Sequence, residues 1–318
     1  MERRRTKAKA TDSGVPTLFD AGEGTETATA EQRAEASSAP TRNKSTAKNH
    51  NSNLLVGTSA FTADGWAGAF YPKDMAARDY LGFYAERFPT VELDSTFYRT
   101  PSAAVVKGWY AKTPAEFIFA AKAPRAITHE KVLVDCEAEW RQYLGTMELL
   151  GEKLGPILFQ FGYFNQSAFR GAEEFMERLV PFMKRLPKDR RFAVEIRNRK
   201  WLDERFVEAL RERGVALALL DQAWMPRPWE LAAGIDPITA DFTYVRWLGD
   251  RKGIEKVTKV WEKPVVDRRA EIGRWAEVLR GFVETRRGLK IFAYANNHYA
   301  GFGPHTVRLF QEEWDRKR

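Results

Sequence analysis

The chain has 318 residues, of which 44% are hydrophobic and 13% aromatic, and it carries a formal charge of +8. That length suits one large domain of roughly 250 residues with a tail, and no run approaches the ~18 apolar residues of a membrane span. The basic start has no apolar segment behind it, and Cys136 is the single cysteine, so we expect no secretory signal, no internal disulfide and a cytoplasmic protein.

Residues 1–52 differ in composition from the rest of the chain. They are rich in Ala, Thr, Ser, Glu, Lys and Arg and have almost no large apolar residue. Such a segment cannot offset the entropy of ordering, so we predict a disordered basic and polar tail. Leu18 and Phe19 form an isolated apolar pair within it. The pair loosely resembles the anchors through which bacterial repair proteins bind the sliding clamp, although the usual upstream glutamine is absent; an unselected tail is the alternative.

From Leu54 onward, strand-like and helix-like segments alternate. Runs of β-branched and apolar residues predict eight strands, at Leu54–Thr58, Thr90–Phe97, Phe117–Lys122, Ile157–Phe161, Phe192–Arg197, Val215–Asp221, Thr243–Trp247 and Lys290–Ala295. Helices are predicted at Met75–Phe88, Ala103–Lys112, Glu137–Leu150, Ala172–Arg185, Glu204–Arg213, Asp267–Arg286 and from Pro304 onward, with a long loop at Gln222–Phe242. This order predicts an α/β fold in which residues 53–318 form a single (β/α)8 TIM barrel. A doubly wound sheet is the alternative, but it would favour a glycine-rich nucleotide turn after the first strand.

The second predicted strand carries two carboxylates on one face. Glu92 and Asp94 alternate with Val91 and Leu93, and in a sheet covered on both faces such carboxylates are costly unless they are paired or hydrogen-bonded. The same alternation places further polar side chains on the inward face. The inward set comprises Glu92, Asp94, Lys122, Gln160, Glu195, Arg197 and Arg246, and Asp221, Asn296 and Asn297 end their strands and could join it.

The inward charges have two interpretations. Active sites of TIM barrels lie at the carboxyl ends of the strands, where these residues fall. Alternatively they form a self-neutralising ion network, with Glu195 paired to Arg246 and Glu92 to Lys122 or Arg197. So many charges exceed what a packed core needs, because apolar residues fill such space equally well, and functional sites are where such local rules are broken.

The loops after the strands add candidate groups. His129 could act as a general acid or base, or be a solvated loop residue. Gly301 and Gly303 precede the last helix, at the usual phosphate position of the barrel, or are ordinary loop glycines. Tryptophans in the loops could stack on a sugar or base, or pack beneath the loops; they are Trp66, Trp201, Trp224 and Trp229.

Metal binding is weakly indicated. Glu92, Asp94, His129, Glu195 and Asp221 carry oxygen and nitrogen donors. No closely spaced ligand motif is present, however, and interleaved Lys and Arg residues disfavour a cage of several metals. We assign no metal ligand, leave the cofactor unknown, and keep a divalent metal as an alternative.

Several motifs carry a family resemblance. They are VGTSAF, W-x-G-x-FYP (Trp66 to Pro72), VELDSTFY (Val91 to Tyr98), FAAKAPRAITH (Phe119–His129), LGPILFQF (Leu154–Phe161), VEIRNRKW (Val194–Trp201), YVRWLG (Tyr244–Gly249) and YANNHYAG (Tyr294–Gly301). In this order the chain resembles the YecE-like family, domain of unknown function 72, from Leu55 to Leu309. The resemblance implies a TIM barrel and leaves the activity open. Asp94 stands where the family is expected to have asparagine, which changes the charge of the site.

Two functions follow as hypotheses. The first is an enzyme (a hydrolase, lyase or isomerase) acting on a small anionic or phosphorylated substrate at the mouth of the barrel. Glu195 and Glu92 are its predicted acid–base residues, with His129 in reserve. The predicted substrate-binding residues are Lys122, Arg197, Arg246, Asp94, Tyr98, Gln160, Trp201, Asp221, Asn296, Asn297, Gly301 and Gly303. The second is a nucleic-acid-associated protein, either a binding module or a repair-type nuclease. No membrane partner is expected.

Overall fold

A computed structural model describes residues 53–316, and these fold into a (β/α)8 barrel. Its eight strands are parallel and follow one another around the sheet. They are β1 (Leu54–Thr58), β2 (Thr90–Leu93), β3 (Ile118–Lys122), β4 (Leu154–Gln160), β5 (Phe192–Glu195), β6 (Ala216–Gln222), β7 (Phe242–Gly249) and β8 (Lys290–Ala295). The predicted barrel is confirmed.

The helices cover the outside of the sheet, and several short ones lie in the loops after strands. They are α1 (Tyr80–Ala85), α2 (Ala103–Ala111), α3 (Glu137–Met147), α4 (Ala172–Lys184), α5 (Glu204–Arg211), α6 (Pro228–Leu231), α7 (Arg251–Ile254), α8 (Arg269–Thr285), α9 (Asn297–Ala300) and α10 (Gly303–Asp315). Over residues 53–316, none of them has the length and apolar character needed to cross a bilayer.

Tyr84 joins β1 to β2, between which the sheet ladder has no backbone pairing. Its hydroxyl accepts from the Thr58 amide at 2.8 Å and lies 3.1 Å from the Thr90 carbonyl, to which it donates. Gly57 allows this approach, because a Cβ there would lie 1.9 Å from the Thr90 carbonyl oxygen. A side chain therefore replaces the ladder bonds at the seam, and the barrel closes.

The interior of the barrel changes character along the strands. Near the strand starts it is filled by small and apolar side chains that pack together, including Ala120, Leu158, Ala193, Phe242 and Phe292. The outward faces of the strands and the inner faces of the helices form a second, larger apolar cluster. The polar residues of the interior therefore collect toward the carboxyl ends.

Two predicted strands end at least two residues earlier in the structure. β2 ends at Leu93, and Asp94–Phe97 forms a 3-10 turn. The Thr96 hydroxyl bonds the carbonyl oxygens of Leu93 and Lys122, each at 2.7 Å, so a local side-chain bond ends the strand. β5 ends at Glu195, so Arg197 lies beyond the strand. The predicted clamp-docking pair Leu18 and Phe19, with the rest of the predicted tail, falls outside the described residues.

Candidate functional site

Arg246 on β7 lies at the centre of a buried ion network. Its Nη2 is 2.7 Å from Glu92 Oε1, and its Nη1 is 2.6 Å from Glu195 Oε2. All three side chains are buried. One guanidinium thus joins strands on different sides of the barrel, and the predicted pairing of Glu195 with Arg246 is present. Glu92, however, pairs with Arg246 rather than with Lys122 or Arg197.

The surroundings shift the pKa values of the two glutamates in opposite directions. Burial raises the pKa of Glu92 above its ordinary value, with Arg246 and Tyr244 opposing it only in part. Burial would also raise the pKa of Glu195, but Arg246 and Arg197 outweigh that effect and hold it at about 2. Two carboxyl groups whose environments separate their pKa values are typical of acid–base sites.

Tyr244 is a member of this network that the sequence interpretation omitted. Its hydroxyl donates to Glu92 Oε2 at 2.6 Å. Tyr244 lies two residues before Arg246 on β7, so the period-two rule applied to Arg246 would also have placed it inward. The alternation was the available signal.

Arg197 and Lys122 are two further cations, and they lie between the buried network and the mouth of the barrel. Arg197 Nε donates to Glu195 Oε1 at 2.9 Å, and the Arg197 side chain keeps 25% of its surface exposed. Lys122 Nζ lies 3.1 Å from Asp94 Oδ1 and 3.9 Å from the centre of the Phe97 ring. Asp94 retains 37% exposure of its side chain. Arg197 and Asp94 are thus partly exposed at the mouth, and Lys122 is buried directly behind Asp94.

His129 lies beside the same cations. Its ring meets that of Phe97 edge-on at 5.0 Å, and partial burial together with the charges of Lys122 and Arg197 lowers its pKa. The Thr128 hydroxyl lies 3.4 Å from the Pro124 carbonyl, to which it donates, and 2.8 Å from Nδ1 of His129. The Thr128 hydroxyl thus holds Nδ1 and orients the ring, and Nε2 is the nitrogen that faces Gly162.

The loop that carries His129 has an unusual backbone. Ala126–Glu130 forms a π-helical turn, and three residues just beyond it have positive φ, namely Val132 at 43°, Leu133 at 67° and Asp135 at 49°. Positive φ is costly for a β-branched residue such as Val132, and such strain clusters at functional sites. Gly162 faces this loop, and a Cβ there would lie 3.5 Å from His129 Nε2.

Asp221 does not join the cluster. Its carboxylate accepts from Trp275 Nε1 at 2.8 Å and from the Tyr299 hydroxyl at 2.9 Å, and its other oxygen pairs with Arg227 at 3.2 Å. These partners belong to the helices and loops outside the strand, so the inward placement considered from the sequence is wrong. The inward residue at the end of β6 is Gln222, which the sequence interpretation did not select.

The predicted phosphate position is already occupied by a side chain. Asn297 Oδ1 accepts from the Gly303 amide at 2.8 Å and lies 3.3 Å from Trp66 Nε1. Pro304 has no amide hydrogen to offer. Gly301 is required by its φ of 101° and by the Lys263 carbonyl oxygen, which would lie 2.9 Å from a Cβ. The amides of Gly301 and Gly303 are both bonded to Asn297, which favours a loop-closing role. Anion binding by these two glycines stays a prediction.

The remaining predicted residues divide between packing and exposure. Gln160 is buried and donates to the Phe161 carbonyl at 2.6 Å. Asn296 caps α9 and bonds Ser59 Oγ at 3.0 Å. Trp201 stacks on Phe164 and is buried, as is Trp66. Tyr98, in contrast, is exposed.

The donor set was also considered for a metal. Within residues 53–316, no three His, Cys, Asp or Glu side chains group as a metal centre. The oxygens of Glu92 and Glu195 are taken by Arg246, Arg197 and Tyr244. The buried carboxylates of Glu92 and Glu195 are thus paired with guanidinium groups rather than with a metal ion.

Comparison with known proteins assigns the family. The profile described as "Protein of unknown function DUF72" matches residues 55–318. The chain belongs to this family. The DUF72 chain is 29% identical over 143 residues to UPF0759 protein YecE of Escherichia coli K12, a match covering 43% of this chain and 50% of that protein. It is 30% identical over 152 residues to UPF0759 protein YunF of Bacillus subtilis 168, covering 45% of this chain and 52% of that protein. The matched stretch thus spans about half the length of these relatives.

Solved structures agree on the fold of this DUF72 chain. A DUF72 family protein (TM1631) of Thermotoga maritima superposes with a TM-score of 0.63 at 24% identity, covering 83% of this chain and 99% of that one. A DUF72 family protein (EF0366) of Enterococcus faecalis gives a TM-score of 0.61 at 18% identity, covering 83% and 96%. At these identities the likeness establishes the barrel and leaves the activity open.

Proposed function

We propose that this DUF72 chain is an enzyme that moves a proton on a small anionic, phosphorylated or carboxylated substrate at the carboxyl-terminal mouth of the barrel. The observation that carries this proposal is the position of His129, an exposed imidazole beside the cationic groups of Lys122 and Arg197, which lower its pKa. A base next to anion-binding cations is the arrangement that proton abstraction near an acidic group requires.

The cations would bind the substrate. Arg197 presents its partly exposed guanidinium at the mouth, and Lys122 lies just inside. An anion between them would be held by charge-assisted hydrogen bonds, and negative charge developing in the transition state would be stabilised by the same two groups. Glu195 fixes Arg197, and so has a positioning role in this scheme.

His129 would be the proton acceptor. Its lowered pKa favours the neutral imidazole, which is the form that accepts a proton, and the Thr128 hydroxyl orients the ring through Nδ1. Glu92 and Glu195 are fully buried, so a direct catalytic role for either one requires a substrate that reaches past Arg246. The reaction class stays open among hydrolase, lyase and isomerase chemistry.

A screen of small anions tests this proposal. We would measure the melting temperature of the purified protein with a library of phosphorylated and carboxylated metabolites, and detect retained ligands by native mass spectrometry. At least one small anion should raise the melting temperature of the wild type. His129→Ala should bind that anion but not turn it over. A wild-type protein that no small anion stabilises would contradict the proposal.

A second candidate is binding of single-stranded nucleic acid. Three aromatic side chains lie exposed in loops after alternate strands: Tyr98 after β2, Tyr163 after β4 and Trp224 after β6, at 66%, 70% and 51%. Exposed cations share this face, namely Arg199, Lys200, Arg251 and Lys252. Aromatic faces interleaved with cations are what unpaired bases and their phosphates bind.

Salt dependence tests the second candidate. Fluorescence titration with single- and double-stranded oligonucleotides at two salt concentrations should show tighter binding of the single strand and a steep loss at the higher salt. Trp224→Ala should weaken single-strand binding, whereas Tyr110→Ala, which removes an aromatic residue from α2, should not. A protein that binds no oligonucleotide at low salt would remove this candidate.

A further inference from the structure

Gln222 is the last residue of β6, and its neighbours fix its direction. Ala216, Ala218 and Leu220 belong to the apolar interior of the barrel. Asp221, between Leu220 and Gln222, points the other way, toward Trp275. The pairing with β7 shifts register between Asp221 and Gln222, but the extra residue, Leu248, lies on β7. The alternation of β6 itself therefore continues and places Gln222 inward. Leu220 lies beside Arg246 in the sheet, so Gln222 is one inward position nearer the mouth than the buried ion network.

The amide of Gln222 is buried without a complete set of partners. The residue is 6% exposed, and its Oε1 has no hydrogen-bond partner. Opposite it in the sheet, β7 offers Gly249, which has no side chain to bond the amide. Buried amide oxygens in folded proteins are nearly always hydrogen-bonded, so an unpaired one at a strand end is a place where an ordered water or a ligand completes the bonding.

The chemistry of the amide limits what that group can be. A side-chain amide has one end that accepts and one that donates. Phosphate and carboxylate oxygens only accept, so an anion alone would leave Oε1 unpaired. A hydroxyl both donates and accepts, and so satisfies either end of the amide. Asp94, a partly exposed carboxylate in an otherwise cationic mouth, likewise repels an anion but accepts from a hydroxyl.

We infer that Gln222 binds a hydroxyl group of the substrate, so that the substrate is a hydroxylated anion such as a polyol phosphate or a sugar acid. The inference rests on the proposed function, since it assumes that a small anion occupies the mouth. Trp224, two residues farther along the same turn and half exposed, offers an aromatic face to the C–H groups of such a ligand.

Matched ligands test the inference. Calorimetric titration would compare glycerol 3-phosphate with propyl phosphate, which has the same chain length and charge but no hydroxyls, and with inorganic phosphate. We expect the wild type to bind glycerol 3-phosphate at least tenfold more tightly than propyl phosphate, since a site built to bond a hydroxyl disfavours a ligand without it.

Two variants test whether Gln222 is the source of the preference for glycerol 3-phosphate over propyl phosphate. Gln222→Leu keeps the approximate volume and removes both hydrogen-bonding ends, so it should bind the two organic phosphates within twofold of each other. It should also melt at or above the temperature of the wild type, because the unpaired oxygen is gone. Gln142→Leu, on the exposed surface of α3, should keep the full preference.

The outcomes separate the two proposals. Binding of all three phosphates without a hydroxyl preference, or a preference that survives in Gln222→Leu, would overturn the role of Gln222 and leave the anion site standing. Failure of every phosphate to bind would overturn the proposed anion site and the role of Gln222 with it.

Discussion

The two halves of the barrel interior differ in composition. Toward the strand starts, inward positions hold Ala120, Leu158, Ala193 and Phe242. At inward positions nearer the carboxyl ends of the same strands, Lys122, Gln160, Glu195 and Arg246 take their place. Both halves are closed off from solvent, yet only the first is built from residues that favour burial. Since a buried ion network is seldom more stable than apolar packing, stability alone does not account for the charges of the second half.

The largest expected effect comes from removing the central cation. Arg246→Met should lower the free energy of unfolding by about 4 kcal/mol, because Glu92 and Glu195 lose their shared partner while staying buried. Phe292→Leu, in the apolar half, should cost about 1 kcal/mol, as conservative core changes do. Urea unfolding at pH 7 measures both. Equal losses of unfolding free energy in the two variants would contradict the energetic difference between the two halves of the interior.

The second largest effect should be a difference in unfolding free energy between the Glu195→Gln and Glu92→Gln variants. The pKa of Glu195 falls from 4.5 to about 2, which corresponds to about 3 kcal/mol of stabilisation of its charged form. Glu195→Gln should therefore cost about 3 kcal/mol at pH 7. Glu92→Gln should cost less than Glu195→Gln, since the pKa of Glu92 is raised and its surroundings therefore favour the charged carboxylate less. A larger loss of stability in Glu92→Gln than in Glu195→Gln would contradict the pKa shifts assigned to the two residues.

The pH dependence of stability should separate the same residues. Because the folded pKa of Glu195 is lowered, its contribution is present above pH 4.5 and is lost as pH falls toward about 2. Glu92, whose folded pKa is raised, contributes below its ordinary pKa and loses that contribution as pH rises through the folded value. Unfolding free energies measured from pH 2 to 7 should show this in the variants. Glu195→Gln should no longer lose stability as the pH falls toward 2, and Glu92→Gln should no longer lose stability as the pH rises.

Sequence reasoning predicted the strands better than the contacts between them. Eight alternating segments predicted the barrel, and β1 and β8 have the predicted bounds. The inward placement of Asp221 was wrong because the β6 run ALALLDQ is apolar on both faces, so its sequence does not show which residues point inward. A shift of one residue in that assignment moves every side chain to the opposite face. The partner of Glu92 was also missed, since the relative height of residues on distant strands depends on the stagger of the closed barrel.

The smallest expected change in stability lies at the mouth. Arg197→Ala should alter the free energy of unfolding by about 1 kcal/mol or less, because its guanidinium is partly solvated and Glu195 keeps Arg246 as a partner. Thermal and urea unfolding of this variant would measure the change. A loss as large as that of Glu195→Gln would place Arg197 within the buried network.

Calorimetric titration of inorganic phosphate into the wild type, Arg197→Ala and Arg199→Ala is the most direct test of anion binding at the mouth. Arg199 is exposed and lies in the same loop, so its variant controls for a general loss of positive charge. We expect wild-type binding to weaken at least tenfold, by about 1.4 kcal/mol or more, in Arg197→Ala and to stay unchanged in Arg199→Ala. Equal binding by all three proteins, or no binding by the wild type, would contradict an anion site at Arg197.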